Sequence, residues 1–493
     1  MRKERHIMQR IITGFEPDSI FKYFEDISAI PRASGNEAGV ADYLCRFAEE
    51  RSLECVRDAN HNVIIKKPAT AGREEQAPLL FQGHTDMVCE KNGDTVHDFE
   101  SEPIELVLKG NCLRANGTTL GADNGIAVAM MLAMLDGELD SHPALECLFT
   151  TEEETGMGGA IVFDYSLLSA RHMINLDSEE EDTVTVGCAG GVRSDLTIPV
   201  VREDAGEREL CRVTLTGLAG GHSGAEIHTG RASANLLLGR LLSALPDVRL
   251  VSVEGGSKDN AITREATAVI AVPSVALTSM TLLGLADDVA GELVPEDRNC
   301  RISCERLTDG ERAAAFGMMD AVSTARVLGL LANAPCGVLA MSHEVEGLVE
   351  YSRNLGILRT VEDAVRITFT SRASRESRLD GTMTSLDALA GALGATVRHH
   401  SRYPGWEYAP MSAVRDAYTK AYAEVVGGEM KVVAIHAGLE CGYIKKQIPD
   451  MDIISVGPDM KDIHSPDEML YLDSVERVWK AVASLVSDWN VLR

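Results

Sequence analysis

Hydrophobic residues in the first third of the chain occur in short runs, and each run ends in polar or acidic residues. Runs of this length predict buried strands in LECVRDA, NVIIKK, PLLFQGHTD, ALECLFTTEE and RHMINLDSEE. Longer segments, amphipathic or rich in alanine, methionine and leucine, predict helices in PDSIFKYFEDISAI, GNEAGVADYLCRFAEERS and GADNGIAVAMMLAMLDG. Strands that alternate with helices predict an α/β fold with a mostly parallel sheet and helices on both of its faces.

The pattern changes at about residue 188 and returns near residue 398. The segment between them has shorter strands and helices, among them CRVTLTGL, ASANLLLGRLLSAL and TAVIAVPS, and a similar set recurs from GVLAMSHEV to TSLDALAGALGAT. Each set spans about 100 residues, the size of one compact unit. We therefore predict a domain inserted at 188–397 and made of two α+β units. The stretches 1–187 and 398–493 would form the other domain in two parts.

Composition narrows the function classes. Of the 493 residues 45% are hydrophobic and 25% charged, which is typical of a globular protein. The formal net charge of −28 opposes binding to nucleic acids or anionic membranes. No apolar run approaches the roughly 18 residues that span a bilayer, and the basic start MRKERHIMQRIITGFEP lacks an apolar segment of signal-peptide length. The 11 cysteines form no C-x-x-C pair, so we expect free thiols and a cytoplasmic location.

Histidines and carboxylates stand where predicted strands end. His84 and Asp86 close PLLFQGHTD, and the GADNG turn before a helix contains Asp123. Further strand ends and the last part of the chain add Glu152, Glu153, Glu154, Asp177 and His464. Strand ends of this kind meet at one edge of a parallel sheet, where such folds bind ligands. Asp123 alone would be a helix cap and His464 alone a structural histidine, but the residues together predict a metal site.

The donor set also indicates a reaction. Imidazoles together with carboxylates are ligands that zinc and similar divalent ions accept, and there are enough of them for two ions if one carboxylate bridges. Paired ions acidify a water molecule so that it attacks an amide at neutral pH. A further carboxylate, free of metal, is then needed to take the proton of this water and return it to the leaving amine.

Six segments resemble the signature of the co-catalytic zinc aminoacylase and dipeptidase family. They are GHTDMV (83–88), GADNG (121–125), TEEETGM (151–157), NLD (175–177), GGHSG (220–224) and DIHSPDE (462–468). The resemblance extends over nearly the whole chain. It implies a catalytic domain like that of the zinc exopeptidases and an inserted α+β lid domain of two ferredoxin-like units.

The resemblance implies two divalent metal ions, zinc in the first place, with cobalt or manganese as alternatives. The implied ligands are His84, Asp123 and Asp177 for one ion, and Asp123, Glu154 and His464 for the other. Asp86 would orient His84, Glu153 would be the general base, and Glu152 would be a solvated strand end. Neighbouring residues of an extended strand point in opposite directions, so Glu153 and Glu154 can share this work only if the backbone bends there.

The inserted domain would supply contacts with the substrate. His222 in GGHSG would stabilise the oxyanion that forms on the carbonyl oxygen, in the site of its own chain or of a partner. The terminal carboxylate of the substrate would be held by Asn260, Arg372 and Gly438, with Arg402 and His436 as further candidates. Thr263 departs from the proline that the family pattern leads us to expect after NAI. A homodimer through the inserted domain is the expected assembly.

The resemblance implies the hydrolysis of unblocked dipeptides, including those that end in histidine. One alternative is an amidohydrolase that removes the acyl group of N-acyl amino acids by the same chemistry. A second is a protein that binds metal or peptide without catalysis, against which the presence of Glu153 counts. A third is a thiol hydrolase based on Cys89 or Cys441. Small peptides are the expected partners, and neither nucleic acids nor membranes.

Overall fold

The computed structural model describes residues 10–492 and divides the chain into two compact units. Unit 1 comprises Met1–Gly187, Trp406–Ala434 and Leu439–Arg493, and unit 2 comprises Cys188–Gly405 and Ile435–Gly438. The sequence predicts that the basic start of the chain is not a signal peptide. The first nine residues of this segment lie outside the described residues. None of the helices within residues 10–492 has the length and apolar character needed to cross a membrane.

The elements follow one another along the chain in the alternating style that the sequence predicts. The strands are β1 Glu54–Arg57, β2 Val63–Lys67, β3 Leu79–His84, β4 Leu106–Lys109, β5 Cys112–Ala115, β6 Leu145–Thr150, β7 His172–Asn175, β8 Thr183–Cys188, β9 Gly190–Pro199, β10 Arg202–Glu203, β11 Glu209–Thr216, β12 Gly221–His222, β13 Arg249–Gly255, β14 Ala261–Ile262, β15 Ala266–Val272, β16 Arg301–Arg306, β17 Met318–Met319, β18 Gly337–Met341, β19 Val349–Thr360, β20 Ala364–Ala373, β21 Thr396–Tyr403, β22 Lys431–Ile435, β23 Asp452–Ser455, β24 Met460–Lys461 and β25 Met469–Tyr471. The helices are α1 Asp18–Ser28, α2 Ala38–Glu50, α3 Ala122–Asp136, α4 Gly158–Val162, α5 Ala234–Ser243, α6 Val275–Ala290, α7 Asp309–Ala314, α8 Ala321–Asn333, α9 Glu376–Leu393, α10 Ala413–Val425, α11 Glu440–Gln447 and α12 Leu472–Asp488. Short 3₁₀ helices occupy Tyr165–Leu167, Ile227–Thr229 and Pro295–Asp297.

An eight-stranded sheet forms the centre of unit 1, in the order β1-β2-β6-β3-β7-β23-β8-β22. Its four central strands, β6, β3, β7 and β23, are parallel to their neighbours within this group. Strands β1 and β2 are added antiparallel on one side, and β8 pairs antiparallel with β23 on the other. The parallel centre leaves the carboxyl ends of β3, β6 and β7 at the same edge of the sheet.

Helices cover both faces of this sheet, as consecutive residues of β3 show. Successive strand residues point to opposite faces. A Cβ added at Gly83 would lie 2.7 Å from the Cβ of Ala127 in α3, whereas the neighbouring Gln82 donates a 2.6 Å hydrogen bond to Glu440 of α11. Helix α3 is buried along nearly its whole length because alanine, methionine and leucine dominate it. The predicted α/β fold with helices on both faces is therefore confirmed.

Unit 2 consists of two ferredoxin-like halves, and the chain of one half is inserted into the other. The inner half has the order β11-α5-β13-β15-α6-β16, and its strands lie in the order β16-β11-β15-β13. The outer half has the order β9-α8-β19-β20-α9-β21, and its strands lie in the order β21-β9-β20-β19. The sheets meet where Gly255 of β13 pairs with Leu358 of β19. Because β21 pairs with β9, unit 2 extends beyond residue 397 to Gly405.

Candidate active site

The residues predicted for the metal site follow the strand ends at one edge of the sheet in unit 1. His84 is the last residue of β3, Asp177 comes two residues after β7, and the glutamates 152–154 begin two residues after β6. Asp123 lies in the first turn of α3, where its φ of −77° and ψ of 108° depart from the helical conformation. His464 lies in the loop that joins β24 to β25.

The carboxylate of Asp123 lies between the two histidines. Its Oδ1 is 3.1 Å from Nε2 of His84, and its Oδ2 is 3.1 Å from Nε2 of His464. Each imidazole has a second carboxylate beside it. Asp177 Oδ1 is 3.5 Å from His84 Nε2, and Glu154 Oε2 is 3.1 Å from His464 Nε2. The structure thus brings these five side chains together around Asp123.

This cluster has the chemistry of a metal site. Within residues 10–492, His84, Asp123 and Glu154 present ligand atoms that all lie within 4.8 Å of one another. Oε1 of Glu154 is buried and has no hydrogen-bond partner in the described part of the chain. A buried carboxylate oxygen without a partner is costly, and a divalent cation would satisfy it. Because imidazole nitrogen and carboxylate oxygen are both zinc ligands, the residues fit such a cation.

Carboxylates dominate the electrostatics of the cluster. Hydrogen bonds with Asp123 and then Glu154 raise the pKa of His464 to about 10. Burial opposes a charged His84, but Asp177 and Asp123 hold its pKa well above the usual value. Burial is likewise outweighed at Asp123, where hydrogen bonds from the two imidazoles lower the pKa. Without a metal ion, the neighbouring carboxylates thus favour the charged form of both imidazoles. A bound cation would replace the proton on Nε2 of each ring.

Negative charge remains in excess even with both imidazoles charged. Burial, followed by the neighbouring carboxylates, raises the pKa of Asp177 to about 6 and that of Glu179 to about 7. Burial also raises the pKa of Glu153 well above its usual value, and nearby carboxylates add to this rise. Buried carboxyl groups this close together resist ionisation unless positive charge balances them. The site therefore calls for more positive charge than its own residues supply.

The backbone bends at Glu152, where the strand gives way to the TEEETGM motif. The φ of Glu152 is 52°, a left-handed value that is uncommon for a residue other than glycine. Its N–H donates a 3.0 Å hydrogen bond to Glu37. The following N–H groups, of Glu153 and Glu154, donate to the carboxylate of Asp86 at 3.1 and 3.2 Å. The backbone thus turns one residue before Glu153 and Glu154, and their N–H groups both point toward Asp86.

Asp86 contacts both His84 and the glutamate loop. Its Oδ1 is 3.3 Å from Nδ1 of His84, and its backbone oxygen is 3.1 Å from the same atom. The hydroxyl of Ser34 donates a 2.7 Å hydrogen bond to its other carboxylate oxygen. A proton held on Nδ1 leaves Nε2 of His84 free to bind a cation. The sequence led us to expect the contact with His84, but not the contact with the glutamate loop.

The loop that contains His464 is tightly turned. Both Asp462 and His464 have left-handed backbone conformations, with φ values of 52° and 59°. The hydroxyl of Ser465 donates a 2.6 Å hydrogen bond to the carbonyl oxygen of Asp462. Non-glycine residues in such conformations cluster at functional sites. The side chain of His464 is 47% exposed, whereas that of His84 is 1% exposed, so the cluster is accessible from the His464 side.

His222 belongs to unit 2, where its ring geometry favours a hydrogen-bond donor. Its Nδ1 accepts hydrogen bonds from the N–H groups of Ala225 at 3.1 Å and Gly224 at 3.3 Å. In the neutral imidazole the proton must then lie on Nε2. Burial, and after it the charge of Arg372, lowers the pKa of His222. The neutral ring with its proton on Nε2 suits the donation of a hydrogen bond to an oxyanion.

Asn260 and Gly438, two predicted substrate contacts, lie close to the His222 segment within unit 2. The carbonyl oxygen of Asn260 accepts a 2.8 Å hydrogen bond from the N–H of Ser223. A Cβ added at Gly224 would lie 2.9 Å from the carbonyl oxygen of His436, two residues before Gly438. The structure therefore gathers these predicted residues in one part of unit 2.

Arg372 is buried and keeps hydrogen-bonding capacity to spare. It is 8% exposed, and its Nη1 donates a 2.7 Å hydrogen bond to the hydroxyl of Tyr403. Its Nε has no partner among the residues that the structure describes. Burial of His436, and after it the charge of Arg372, lowers the pKa of His436 to about 3. The hydroxyl of Ser352 lies 2.7 Å from Nε2 of this ring. A buried guanidinium with unused donors suits an anionic group of a ligand.

Three further candidates from the sequence have other surroundings. Arg402 forms ion pairs with two carboxylates of α9, so its charge serves packing within unit 2. Thr263, which stands where the family pattern has proline, donates hydrogen bonds to two backbone carbonyls of β19. Burial raises the pKa of Cys89 to about 11, which opposes its use as a thiolate nucleophile.

Several residues that hold the cluster in place were not predicted. They are Arg32, Ser34, Glu37 and Glu468, and all four bond to the backbone or side chains of the loops that carry the cluster. Glu468 ends the DIHSPDE motif, so the motif itself was a signal for it. The other three precede the site by about 50 residues or more in sequence, and their partners follow only from the fold.

Comparisons with known proteins show that the chain is similar to peptidases over nearly its whole length. A profile of peptidase family M20/M25/M40 matches residues 80–488. The chain is 37% identical over 484 residues to the cytosol non-specific dipeptidase of Escherichia coli (strain K12), across 97% of this chain and 99% of that protein. Its structure is similar to the aminoacylhistidine dipeptidase from Vibrio alginolyticus, with a TM-score of 0.91 and 36% identity across 97% and 98% of the two chains. An M20 family metallo-carboxypeptidase from Sulfolobus solfataricus shares the fold, with a TM-score of 0.54 and 14% identity across 96% and 99% of the chains.

Proposed function

The chain belongs to peptidase family M20/M25/M40, and we propose that it is a metal-dependent dipeptidase that hydrolyses unblocked dipeptides, including aminoacyl-histidine substrates. The two relatives with 36% and 37% identity are both named dipeptidases, one of them for aminoacylhistidine. The observation that carries the proposal is the Asp123 carboxylate with one histidine at each oxygen. An N-acyl amino acid amidohydrolase or a protein without catalysis is not favoured, because nothing in the names of these relatives points to either.

Five side chains would hold two divalent cations, and zinc is the metal proposed. One cation would be bound by His84, Asp123 and Asp177, and the other by Asp123, Glu154 and His464. The buried, unpartnered Oε1 of Glu154 supports this assignment, as does the carboxylate excess described above. Cobalt or manganese would accept the same donors.

Glu153 would move the proton in the reaction. When bound, the cations acidify a water molecule and polarise the peptide carbonyl. Glu153 would take a proton from the attacking water as the water oxygen bonds to the carbonyl carbon. It would then deliver that proton to the amide nitrogen as the C–N bond breaks. Burial, and after it the neighbouring carboxylates, raises the pKa of Glu153 above that of an ordinary glutamate, so its carboxylate holds a proton more readily. Asp86 would keep the Glu153 loop and His84 in position through the contacts described above.

Residues of unit 2 would bind the reacting carbonyl and the end of the substrate. The Nε2–H of His222 would donate to the carbonyl oxygen as negative charge develops on it. The terminal carboxylate of the dipeptide would be bound by Arg372, Asn260 and Gly438. The unused Nε donor of Arg372 supports its part in this contact.

A substrate panel tests the proposed reaction. We expect turnover of unblocked dipeptides, aminoacyl-histidines included, and no turnover of N-acetyl-histidine or other N-acetyl amino acids. The reason is that the two classes share the scissile amide and differ in the free amino group. Product formation is measured by chromatography, with and without a chelator, and zinc is then added back. Exclusive turnover of the acetylated compounds would overturn the proposal, and so would full activity in the presence of the chelator.

A cytoplasmic location is also proposed. Cys45, Cys55, Cys89 and Cys147 are among the cysteines that are free thiols in the structure, which suits a reducing compartment. The relative from Escherichia coli is named as a cytosolic enzyme.

A homodimer through unit 2 is the proposed assembly. Helix α6 exposes Leu277, Met280 and Leu283 to solvent, and these positions share one face of the helix. The neighbouring strand β16 is the last strand of its sheet, and among residues 10–492 no further strand pairs with its outer edge. An apolar helix face beside an open strand edge can pair with a second copy of itself about a twofold axis.

Met280→Glu tests this assembly. We expect wild type to have the mass of a dimer in light scattering, and Met280→Glu to have the mass of a monomer, because a charge on the apolar face cannot be buried without a partner. Val96→Glu is the control, since Val96 is a fully exposed apolar residue of unit 1. A monomeric wild type, or a dimeric Met280→Glu variant, would contradict the proposal.

A further inference from the structure

Glu468 accepts hydrogen bonds from four consecutive backbone N–H groups. Its Oε2 accepts those of Leu120 at 2.7 Å and Gly121 at 2.9 Å. Its Oε1 accepts those of Ala122 at 2.8 Å and Asp123 at 3.3 Å. Glu468 is 2% exposed, so water does not compete for these contacts. One carboxylate thus satisfies the whole run of amides that leads into α3.

Arg32 binds the same turn from the opposite side of its peptide groups. Its Nη2 donates a hydrogen bond to the carbonyl oxygen of Gly121. Its Nη1 donates to the carbonyl oxygens of Thr85 at 3.0 Å and Asp86 at 3.3 Å, in the loop that follows His84. Arg32 is also 2% exposed. Around Gly121, the buried carboxylate of Glu468 therefore binds backbone N–H groups, and the buried guanidinium of Arg32 binds a backbone carbonyl.

The direction of the Asp123 side chain depends on this backbone. Asp123 departs from helical φ and ψ, so the regular geometry of α3 does not set the direction of its carboxylate. Gly121 has a φ of 70°, and a Cβ there would lie 2.5 Å from Nη2 of Arg32, so only glycine fits this turn beside Arg32. Glu468 and Arg32 contact the backbone immediately before and at Asp123, which is the part of the chain that sets the direction of this side chain.

Glu468 also links two loops of the cluster. It lies four residues after His464 in the same loop, and its own N–H donates a 3.1 Å hydrogen bond to the carbonyl oxygen of Ser465. A shift of the Asp123 turn would therefore be felt at His464. The turn of Asp123 and the loop of His464 are therefore joined through one side chain.

We propose that Glu468 is a positioning residue of the metal centre, which acts with Arg32 to hold the Asp123 carboxylate where it can serve both cations. This inference rests on the proposed function. Loss of a hydrogen-bonding partner behind a metal ligand typically lowers metal affinity by about 10- to 100-fold. Glu468 contacts neither the substrate nor the cations in this account, so its effect is on affinity and not on the chemical step.

Glu468→Gln tests the inference. The glutamine amide keeps the shape of the side chain, but its NH₂ group cannot accept the two N–H groups that one carboxylate oxygen accepted. We expect zinc affinity, measured by competition with a chromophoric chelator, to fall by about 10- to 100-fold. Excess zinc should then restore most of kcat, because Glu153 is unaffected.

Glu146→Gln is the matched control. Glu146 is 3% exposed and accepts backbone N–H groups of Ser169 and Ala170 at 3.1 to 3.2 Å, but it lies at the start of β6, away from the cluster. We expect it to lose thermal stability and to keep wild-type zinc affinity. If Glu468→Gln does not fold, Arg32→Met carries the same test, since it removes donors to the same turn.

The outcomes separate this inference from the proposed function. Wild-type zinc affinity in Glu468→Gln would overturn the positioning role alone, and so would an equal loss of affinity in Glu146→Gln. Where only Arg32→Met folds, wild-type affinity in that variant has the same meaning. A wild-type protein that binds no zinc and cleaves no dipeptide would instead overturn the proposed function itself.

Discussion

Replacing Glu153 with glutamine is expected to lower kcat by about 10²- to 10⁴-fold, the usual contribution of a general acid–base group. Glutamine has nearly the same shape but cannot take the proton of the attacking water. Glu153 is not among the proposed metal ligands, so the zinc content should stay at the wild-type value. KM should change little, because the residues proposed to bind the end of the substrate are others. The measurement is steady-state kinetics on one dipeptide, together with metal analysis of the same sample.

The neighbouring glutamate provides the control. Glu152 bends the backbone through its φ angle and its N–H, and its side chain has no part in the proposed reaction. Glu152→Gln is therefore expected to keep the wild-type kcat. An equal loss of kcat in both variants, or a Glu153→Gln enzyme of wild-type activity, would show that Glu153 is not the base.

Asp123→Asn is expected to remove nearly all activity together with bound metal. One carboxylate serves both cations in this account, and an amide carries no charge and replaces one acceptor oxygen by a donor. The loss of kcat/KM should exceed the about 10- to 100-fold that is typical when only a partner behind a ligand is lost. Zinc analysis should fall from two ions per chain in wild type to fewer than one. Asp177→Asn, which removes a ligand of only one cation, should retain about one ion.

Asp136→Asn is the control for this variant. Asp136 is the last residue of the same helix and bonds to Tyr23 and Arg51. Its substitution should leave the zinc content at the wild-type value. Two ions per chain in Asp123→Asn would refute the bridging role of Asp123.

The parts of the site that could be predicted from sequence are those where a strand ends. His84 and Asp177 follow apolar runs that form adjacent parallel strands, so the periodicity of the chain placed them at one edge. The shared edge, and the mixture of imidazole and carboxylate, pointed to a metal before any coordinates. The resemblance to a known family then assigned the pairing of ligands, which periodicity alone could not supply.

The parts that could not be predicted depend on contacts distant in sequence. The bend at Glu152 is held by Glu37, which is 115 positions away. The turn at Asp123 is held by Glu468, which is 345 positions away. Neither contact leaves a periodic trace, because each concerns a single side chain and a stretch of backbone. Backbone conformations of this kind are stabilised by the assembled fold and not by local preference.

The nesting of the two halves of unit 2 escaped prediction for a related reason. Strand β9 belongs to the outer half, but the whole inner half follows it in the chain before α8 begins. The sequence pattern groups each strand with the elements nearest to it in the chain. It therefore predicts that the two halves follow one another. Pairing of β9 with β20 and β21 is a long-range event that only the sheet reveals.

Whether two cations share Asp123 can be seen in an anomalous difference map from zinc-soaked crystals. We expect two zinc peaks, one beside His84 and Asp177 and the other beside His464 and Glu154, with the Asp123 carboxylate between them. A single peak, or peaks that leave Asp123 uncoordinated, would contradict the shared role of Asp123.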